Sequence, residues 1–94
     1  MRTQISTRRC ELTEELRARA EELAAALAAD QPGFTFAKYM FDESPEKRTV
    51  SAVFAVSDDD SLVGYAEASE WEAALRELEG KLRRQLEARN ADAR

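Results

Sequence analysis

The residues in this sequence that are best suited to chemistry are arginines and lysines, whose side chains bind phosphate groups. Lys81 and Arg84 are three positions apart, so they share one face of any helix that contains them. Arg8 and Arg9 lie near the end of residues 1–10, a segment that holds three arginines and no acid. Two interpretations fit both pairs: contact with phosphate, or a solvated surface whose charges pair with nearby acids, such as Glu77 four residues before Lys81.

The sequence has no residues arranged for catalysis or for a metal ion. It contains no histidine, the commonest general base and metal ligand. The single cysteine, Cys10, therefore has no histidine to lower its pKa and is expected to be a small apolar residue at a strand end. Asp58, Asp59 and Asp60 are consecutive and point in different directions, which favours a solvated turn over a cation site. We expect no enzyme activity, cofactor, metal or small-molecule substrate.

Composition and charge indicate a small folded protein. Its 94 residues, 44% of them hydrophobic, suffice for one core, so we expect a single domain over residues 1–94. The sequence has no apolar stretch long enough to span a bilayer and no apolar signal core after Met1, which predicts a cytoplasmic protein without a membrane partner. The net charge of −5 opposes nucleic-acid binding unless basic residues are concentrated locally.

Hydrophobic periodicity predicts the elements that must position these residues. Strands are expected over residues 2–10, 34–41, 48–56 and 62–68, with turns between the last three. Thr13 is a candidate N-cap for a first helix that ends near Asp30. Ser69 and Glu72 have the spacing of a capping box at the start of a second helix, which is expected to fray from Asn90.

These elements predict an α+β fold of order β-α-β-β-β-α. A crossover through the first helix makes the first two strands parallel, and hairpins make the other pairs antiparallel, so the sheet has four strands and is mixed. Each helix has one apolar stripe to bury, so both are expected on one face of the sheet, a dsRBD-like arrangement. The predicted core includes Leu16, Leu23, Phe54, Trp71, Leu75, Leu78 and Leu82.

Two segments carry a characteristic order of motifs. The first runs from Ile5 to Arg17. It has a strand and a short polar corner, then an acidic, an aliphatic and a threonine residue (residues 11–13), and then a helix that contains the pair Leu16-Arg17. The second, from Ala66 to Leu86, opens a helix with Trp71 and two alanines and later has the run Lys-Leu-Arg-Arg-Gln-Leu. With this separation and element order, the sequence resembles the short form of the ribosome hibernation-promoting factor family, the ribosomal subunit interface or sigma-54 modulation proteins.

The resemblance implies a protein that binds the small ribosomal subunit and blocks translation during stress. The mechanism it implies is steric, because a folded body is held to ribosomal RNA by basic side chains. Carried over by position, the family's RNA contacts correspond to Arg8, Arg9, Arg17, Lys81 and Arg84.

A second function stays open at this point. The same fold also suits a protein-interaction module that has lost binding to ribosomal RNA. Apolar side chains on both faces of the strands predict a weak homodimer through the uncovered face of the sheet, with a contact that involves Tyr65 and an outward-facing aromatic residue of the second strand. The distribution of charge separates these hypotheses, because a ribosome binder is expected to gather its basic residues on one surface.

Overall fold

Four strands and two helices follow one another in the predicted order β-α-β-β-β-α, which confirms the α+β class. The computed structural model describes residues 2–31, 33–57 and 60–92. Its elements are β1 Arg2–Arg8, α1 Glu14–Asp30, β2 Phe36–Glu43, β3 Arg48–Ser57, β4 Asp60–Ala68 and α2 Trp71–Asp92. Thr13 caps α1 as predicted, because its hydroxyl accepts a hydrogen bond from the Leu16 amide at 3.1 Å.

The strands form one mixed sheet in the order β1-β2-β3-β4. As predicted, β1 and β2 are parallel and the other two pairs are antiparallel. Ile5, Tyr39, Ala52 and Gly64 lie in one row across the four strands. Because β1 and β4 each have a strand on one side only, they are the two edges of this sheet.

Both helices cover the same face of the sheet, the face that carries Tyr39 and Gly64. The Tyr39 hydroxyl donates to the carbonyl oxygen of Ala20 in α1 at 2.9 Å, and burial raises the pKa of this phenol. Gly64, in the same row, lies directly under Leu78 and Leu82 of α2. The helices are therefore side by side, as the sequence predicts, and six of the seven predicted core residues are buried: Leu16, Leu23, Phe54, Leu75, Leu78 and Leu82.

Trp71 is the predicted core residue that the structure leaves half-buried. It is the first residue of α2, so only part of its ring reaches the core, where it packs edge-to-face on Phe41 with 5.4 Å between ring centroids. The predicted capping box at this helix start is also wrong. The carboxylate of Glu72 instead accepts hydrogen bonds from Arg19 of α1 at 2.7 and 2.9 Å, and so ties the two helices together.

The strand limits differ from the predicted ones where the chain turns. β1 ends at Arg8 rather than at residue 10, because Arg9 has a φ of 59°, which is incompatible with a strand. β2 runs two residues further than predicted, since Asp42 and Glu43 continue the ladder to β3. β4 begins earlier, at Asp60, which pairs with the end of β3.

Two predicted features lie partly outside the described residues. These are the aspartates Asp58 and Asp59 of the β3–β4 turn and the final residues 93–94. The helical backbone of α2 continues to Asp92, past the residue from which fraying was predicted.

Replacing Gly64 with alanine is expected to lower the free energy of unfolding by about 1–3 kcal/mol, since it overpacks a filled core. A Cβ at this position would lie 2.7 Å from Leu78 Cδ1 and 3.1 Å from Leu82 Cδ2, so α2 would have to move off the sheet. This cost exceeds the roughly 0.4–1 kcal/mol gained by restricting the unfolded chain. Urea denaturation measures the difference.

Gly80→Ala is the matched control for this substitution. A Cβ at position 80 meets only an ordinary contact, Arg84 Nη1 at 3.6 Å, so alanine within this helix is expected to stabilise the protein by about 0.5–1 kcal/mol. A Gly64→Ala protein as stable as the unmodified one would contradict the close approach of α2 to β4.

Candidate nucleic-acid interface

The five basic residues selected from the sequence fall into two groups at opposite edges of the sheet. Arg8 and Arg9 lie at the end of β1, and Arg17 lies near the start of α1. Lys81 and Arg84 lie together on the flank of α2 that faces β4. Because β1 and β4 are opposite edges, the structure brings these residues together within each group but does not place all five on one surface.

Lys81 and Gln85 cover the outer edge of β4. The ammonium group of Lys81 donates to the carbonyl oxygen of Tyr65, and the side-chain amide of Gln85 donates to that of Val63, each at 2.7 Å. Edge strands present unpaired backbone groups that attract other strands, and side chains such as lysine prevent this. Lys81 also lies 3.5 Å from the carboxylate of Glu77, as predicted. Lys81 therefore stabilises the edge of the sheet and is partly neutralised.

Arg84 is more available to an anion than Lys81. Its side chain is exposed, and the ion pairs formed within residues 2–31, 33–57 and 60–92 do not include it. The residues four positions before and after it are uncharged. It lines a shallow groove with Val63, Tyr65 and Lys81, so its guanidinium stands beside the edge of β4.

Other arginines of α2 are neutralised by carboxylates. Arg83 pairs with Glu79 at 2.9 Å and with Asp30 of α1 at 2.5 Å. The sequence suggests Glu79 and Glu87 as its neighbours, and packing of the two helices brings in Asp30, which is remote in sequence. Arg76 and Arg89 are similarly placed: Arg76 lies 3.8 Å from Glu72, and Arg89 pairs with Asp60.

Arg9 is held by Asp42 at the end of β2. Its guanidinium donates two hydrogen bonds to that carboxylate, at 3.0 and 2.9 Å, in bidentate geometry. These hydrogen bonds hold the pKa of Asp42 below its usual value. Arg8 is exposed next to this pair, and no carboxylate in the described part of the chain is bound to it. Of the two, Arg8 is the more available to a phosphate.

Arg17 lies on the flank of α1 that faces the β1 edge. Glu21, one helical turn later on the same flank, lines a groove with Thr3 of β1. Arg17 is exposed and, among the residues that the structure describes, has no carboxylate partner. Three of the five predicted contacts, Arg8, Arg17 and Arg84, are therefore unpaired within the described residues.

Lys38 is a basic residue that the sequence patterns did not single out as a contact. It is exposed at the middle of β2, between Ala37 and Tyr39, which are both buried. It therefore lies on the side of the sheet away from the helices. We call this side the open face; it comprises the even-numbered residues of β1 and β2 and the odd-numbered residues of β3 and β4. The signal for Lys38 was the alternation along β2, which places it on the same side as Phe36.

The remaining candidate groups are poorly suited to catalysis or metal binding. Within the described ranges, no three histidine, cysteine, aspartate or glutamate side chains are grouped as metal ligands. Cys10 lies 3.6 Å from the carbonyl oxygen of Phe41, and its partial burial raises the pKa of the thiol. The helices described here are too polar or too short to cross a membrane.

The sequence matches a known protein family over nearly its whole length. The family is described as sigma 54 modulation protein / S30EA ribosomal protein, and the match covers residues 3–93. This range contains both helices and the candidate residues at both edges of the sheet. None of the curated proteins matches the chain.

Solved structures share the fold. A ribosomal subunit interface protein from Coxiella burnetii superposes with a TM-score of 0.87 and 19% sequence identity, covering 97% of this chain and 99% of that one. The N-terminal domain of Protein Y from Thermus thermophilus has a TM-score of 0.78 and 21% identity, covering 87% of this chain and 90% of that one. At these identities, the similarity establishes the shared arrangement of strands and helices.

Proposed function

Because the chain belongs to the sigma 54 modulation protein / S30EA ribosomal protein family, we propose that it binds the small ribosomal subunit and blocks translation on idle ribosomes. The family is ribosome-associated and its members are not enzymes, in agreement with both expectations from the sequence. The observation that carries the proposal is the family match over residues 3–93, which includes both helices and all of the sheet except Arg2 at the start of β1. We further propose that residues 1–94 act as a single domain in the cytoplasm.

The mechanism that this fold supports is steric. The described part of the chain is a folded body of 44 × 21 × 20 Å, already ordered before it meets a partner. Binding a preformed body carries a smaller entropic cost than ordering a flexible segment. Guanidinium groups at the two edges of the sheet, Arg8 and Arg17 on one side and Arg84 on the other, then hold the body to RNA phosphates by charge-assisted hydrogen bonds.

The overall charge of −5 sets a condition on this mechanism. Long-range repulsion from RNA opposes encounter, so affinity has to come from local contacts in which a cation displaces counterions from a phosphate. Arginines already bound to carboxylates, such as Arg9 and Arg83, contribute less to such contacts. Of the five candidate residues, those that contribute most are the three without a carboxylate partner in the described part of the chain, Arg8, Arg17 and Arg84.

One observation supports the alternative of a protein-interaction module. Val63 and Tyr65 expose 57% and 53% of their surface on the open face beside Val53, so three large apolar side chains lie together on it. A partner protein or a second copy that covered them would gain hydrophobic burial. The weak homodimer predicted from the sequence stays a prediction on this basis.

Inhibition of a cell-free translation reaction tests the proposed function. We expect the purified chain, added in excess over ribosomes, to reduce protein synthesis. The triple variant Arg8→Glu/Arg17→Glu/Arg84→Glu is expected to restore synthesis, while the exposed control Arg76→Glu keeps the inhibition. Synthesis unaffected by the unmodified chain, or equal inhibition by the triple variant, would exclude the proposal.

A further inference from the structure

Unpaired cations lie on the open face of the sheet. Register across the strands places Arg2 and Arg8 of β1 and Lys38 of β2 on this face. All three are exposed, and none has a carboxylate partner within the residues that the structure describes. They run along one side of the face, from the beginning of β1 to its end.

The two carboxylates of the open face are each held by a further cation. Asp42 is bound by Arg9 at 2.9 Å, and Glu67 is bound by Lys47 at 3.0 Å. Among the described residues the face thus has three cations and two carboxylates, a net charge of +1 on a chain whose overall charge is −5, and Arg9 and Lys47 at its margin neutralise those two carboxylates. This face therefore joins the flanks that carry Arg17 and Arg84 as a surface where unpaired cations are available to an anionic partner.

Apolar side chains lie beside these cations. Tyr65, Val63 and Val53 are exposed by 53%, 57% and 38% on the β3–β4 half of the face. The Tyr65 hydroxyl donates to Glu67 at 3.0 Å, which holds the phenol on the sheet. A ring fixed in this way is a platform on which a planar group can stack.

We propose that the open face binds an unpaired stretch of RNA, with Lys38 and Arg8 on its phosphates and a base stacked on Tyr65. The inference rests on the ribosome-binding function proposed above and adds a second surface to the residues beside the helices. Proteins that bind single strands combine a basic track with exposed aromatic rings, and this face has both.

The unpaired cations of the face disfavour a second copy of the chain as its occupant. Two open faces placed together would oppose two surfaces of net positive charge, and juxtaposed like charges are strongly unfavourable. Duplex RNA is disfavoured for another reason. Its bases are stacked internally, so Tyr65 and Val63 would gain no contact with base faces.

The spacing on the sheet allows one RNA segment to contact both the cation Lys38 and the aromatic ring of Tyr65. Tyr65 lies opposite Ser51, which lies opposite Met40, two residues beyond Lys38. Two strand spacings and two residues along a strand separate Tyr65 from Lys38 by about 12 Å. Tyr65 and Val63 also line the groove that contains Arg84, so the proposed path continues over the β4 edge to α2.

Fluorescence anisotropy with a labelled single-stranded RNA of mixed sequence tests the proposal on the whole chain at low salt. We expect Tyr65→Ala to weaken binding roughly 5- to 150-fold through the loss of one stacked base. Lys38→Gln is expected to reduce the salt slope by about 0.7, the loss of one phosphate contact on a single strand. Arg76→Gln removes one positive charge, as Lys38→Gln does, from an exposed residue of α2 that lies beside Glu72; it is the matched control and is expected to bind as the unmodified chain does.

Three results would overturn the proposal. These are equal binding by all four proteins, preference for duplex RNA of the same length, and a sedimentation equilibrium dimer that Tyr65→Ala converts to a monomer. Binding of purified small subunits, measured in parallel, separates this inference from the proposed function. If Lys38→Gln and Tyr65→Ala bind the subunit as the unmodified chain does, the open face is not an RNA-binding surface on the ribosome, and the proposed function stands. If the unmodified chain binds the single-stranded RNA but not the subunit, the proposed function is wrong, and RNA binding by the open face stands.

Discussion

Replacing Leu78 with alanine is expected to lower the free energy of unfolding by about 2–5 kcal/mol, the usual range for a buried leucine. Leu78 has no exposed surface, and its Cδ1 is the atom nearest to a Cβ built on Gly64. Because β4 has no side chain at that position, the removed methyl groups leave a cavity that Gly64 cannot fill. Urea denaturation followed by circular dichroism measures the change.

Glu77→Ala is the control for this substitution. Glu77 immediately precedes Leu78 in α2, and its side chain is exposed. Surface substitutions of this kind usually change stability by less than about 0.5 kcal/mol. A loss below about 1 kcal/mol for Leu78→Ala would place Leu78 outside the core and contradict the packing of α2 on β4.

Arg84→Glu is expected to weaken binding to the small ribosomal subunit roughly tenfold at about 0.1 M salt, through the loss of one phosphate contact. Arg83→Glu is expected to weaken it less, because the guanidinium of Arg83 already lies against Glu79 and Asp30. The two positions are adjacent in α2, so the pair compares an unpaired cation with a neutralised one on the same helix. Co-sedimentation with purified small subunits measures both.

Arg83→Glu also places a third carboxylate beside Glu79 and Asp30, so its folding has to be checked by thermal denaturation. The neutral pair Arg84→Gln and Arg83→Gln repeats the comparison without this repulsion. Equal binding by both members of each pair would show that this flank of α2 does not contact RNA.

Local patterns were sufficient to predict most of the fold. Thr13 caps α1 and the apolar stripe of α2 is buried, because both features depend on residues three or four positions apart. The alternation of side chains along β3 and β4 correctly placed Phe54 on the buried face of the sheet and Tyr65 on the open face. Strand ends were harder to predict, since the end of β1 depends on the backbone conformation of Arg9, which no side-chain pattern indicates.

Which basic residues are free to contact RNA phosphates could not be predicted from the sequence. Lys81 has Glu77 at the right spacing, but its bond to the Tyr65 carbonyl exists only because α2 lies beside the β4 edge. The partners Asp30 of Arg83 and Asp42 of Arg9 are likewise 53 and 33 residues away in sequence. Tertiary packing therefore decides which cations remain free to bind RNA.

Co-sedimentation of the unmodified chain with purified small ribosomal subunits through sucrose gradients, at about 0.05 and 0.2 M salt, tests the central claim most directly. If local cations on this acidic protein contact ribosomal RNA, the chain migrates with the subunit at the lower salt. Three phosphate contacts then reduce the affinity about 40-fold at the higher salt. A chain that stays at the top of the gradient at both salt concentrations would contradict the claim.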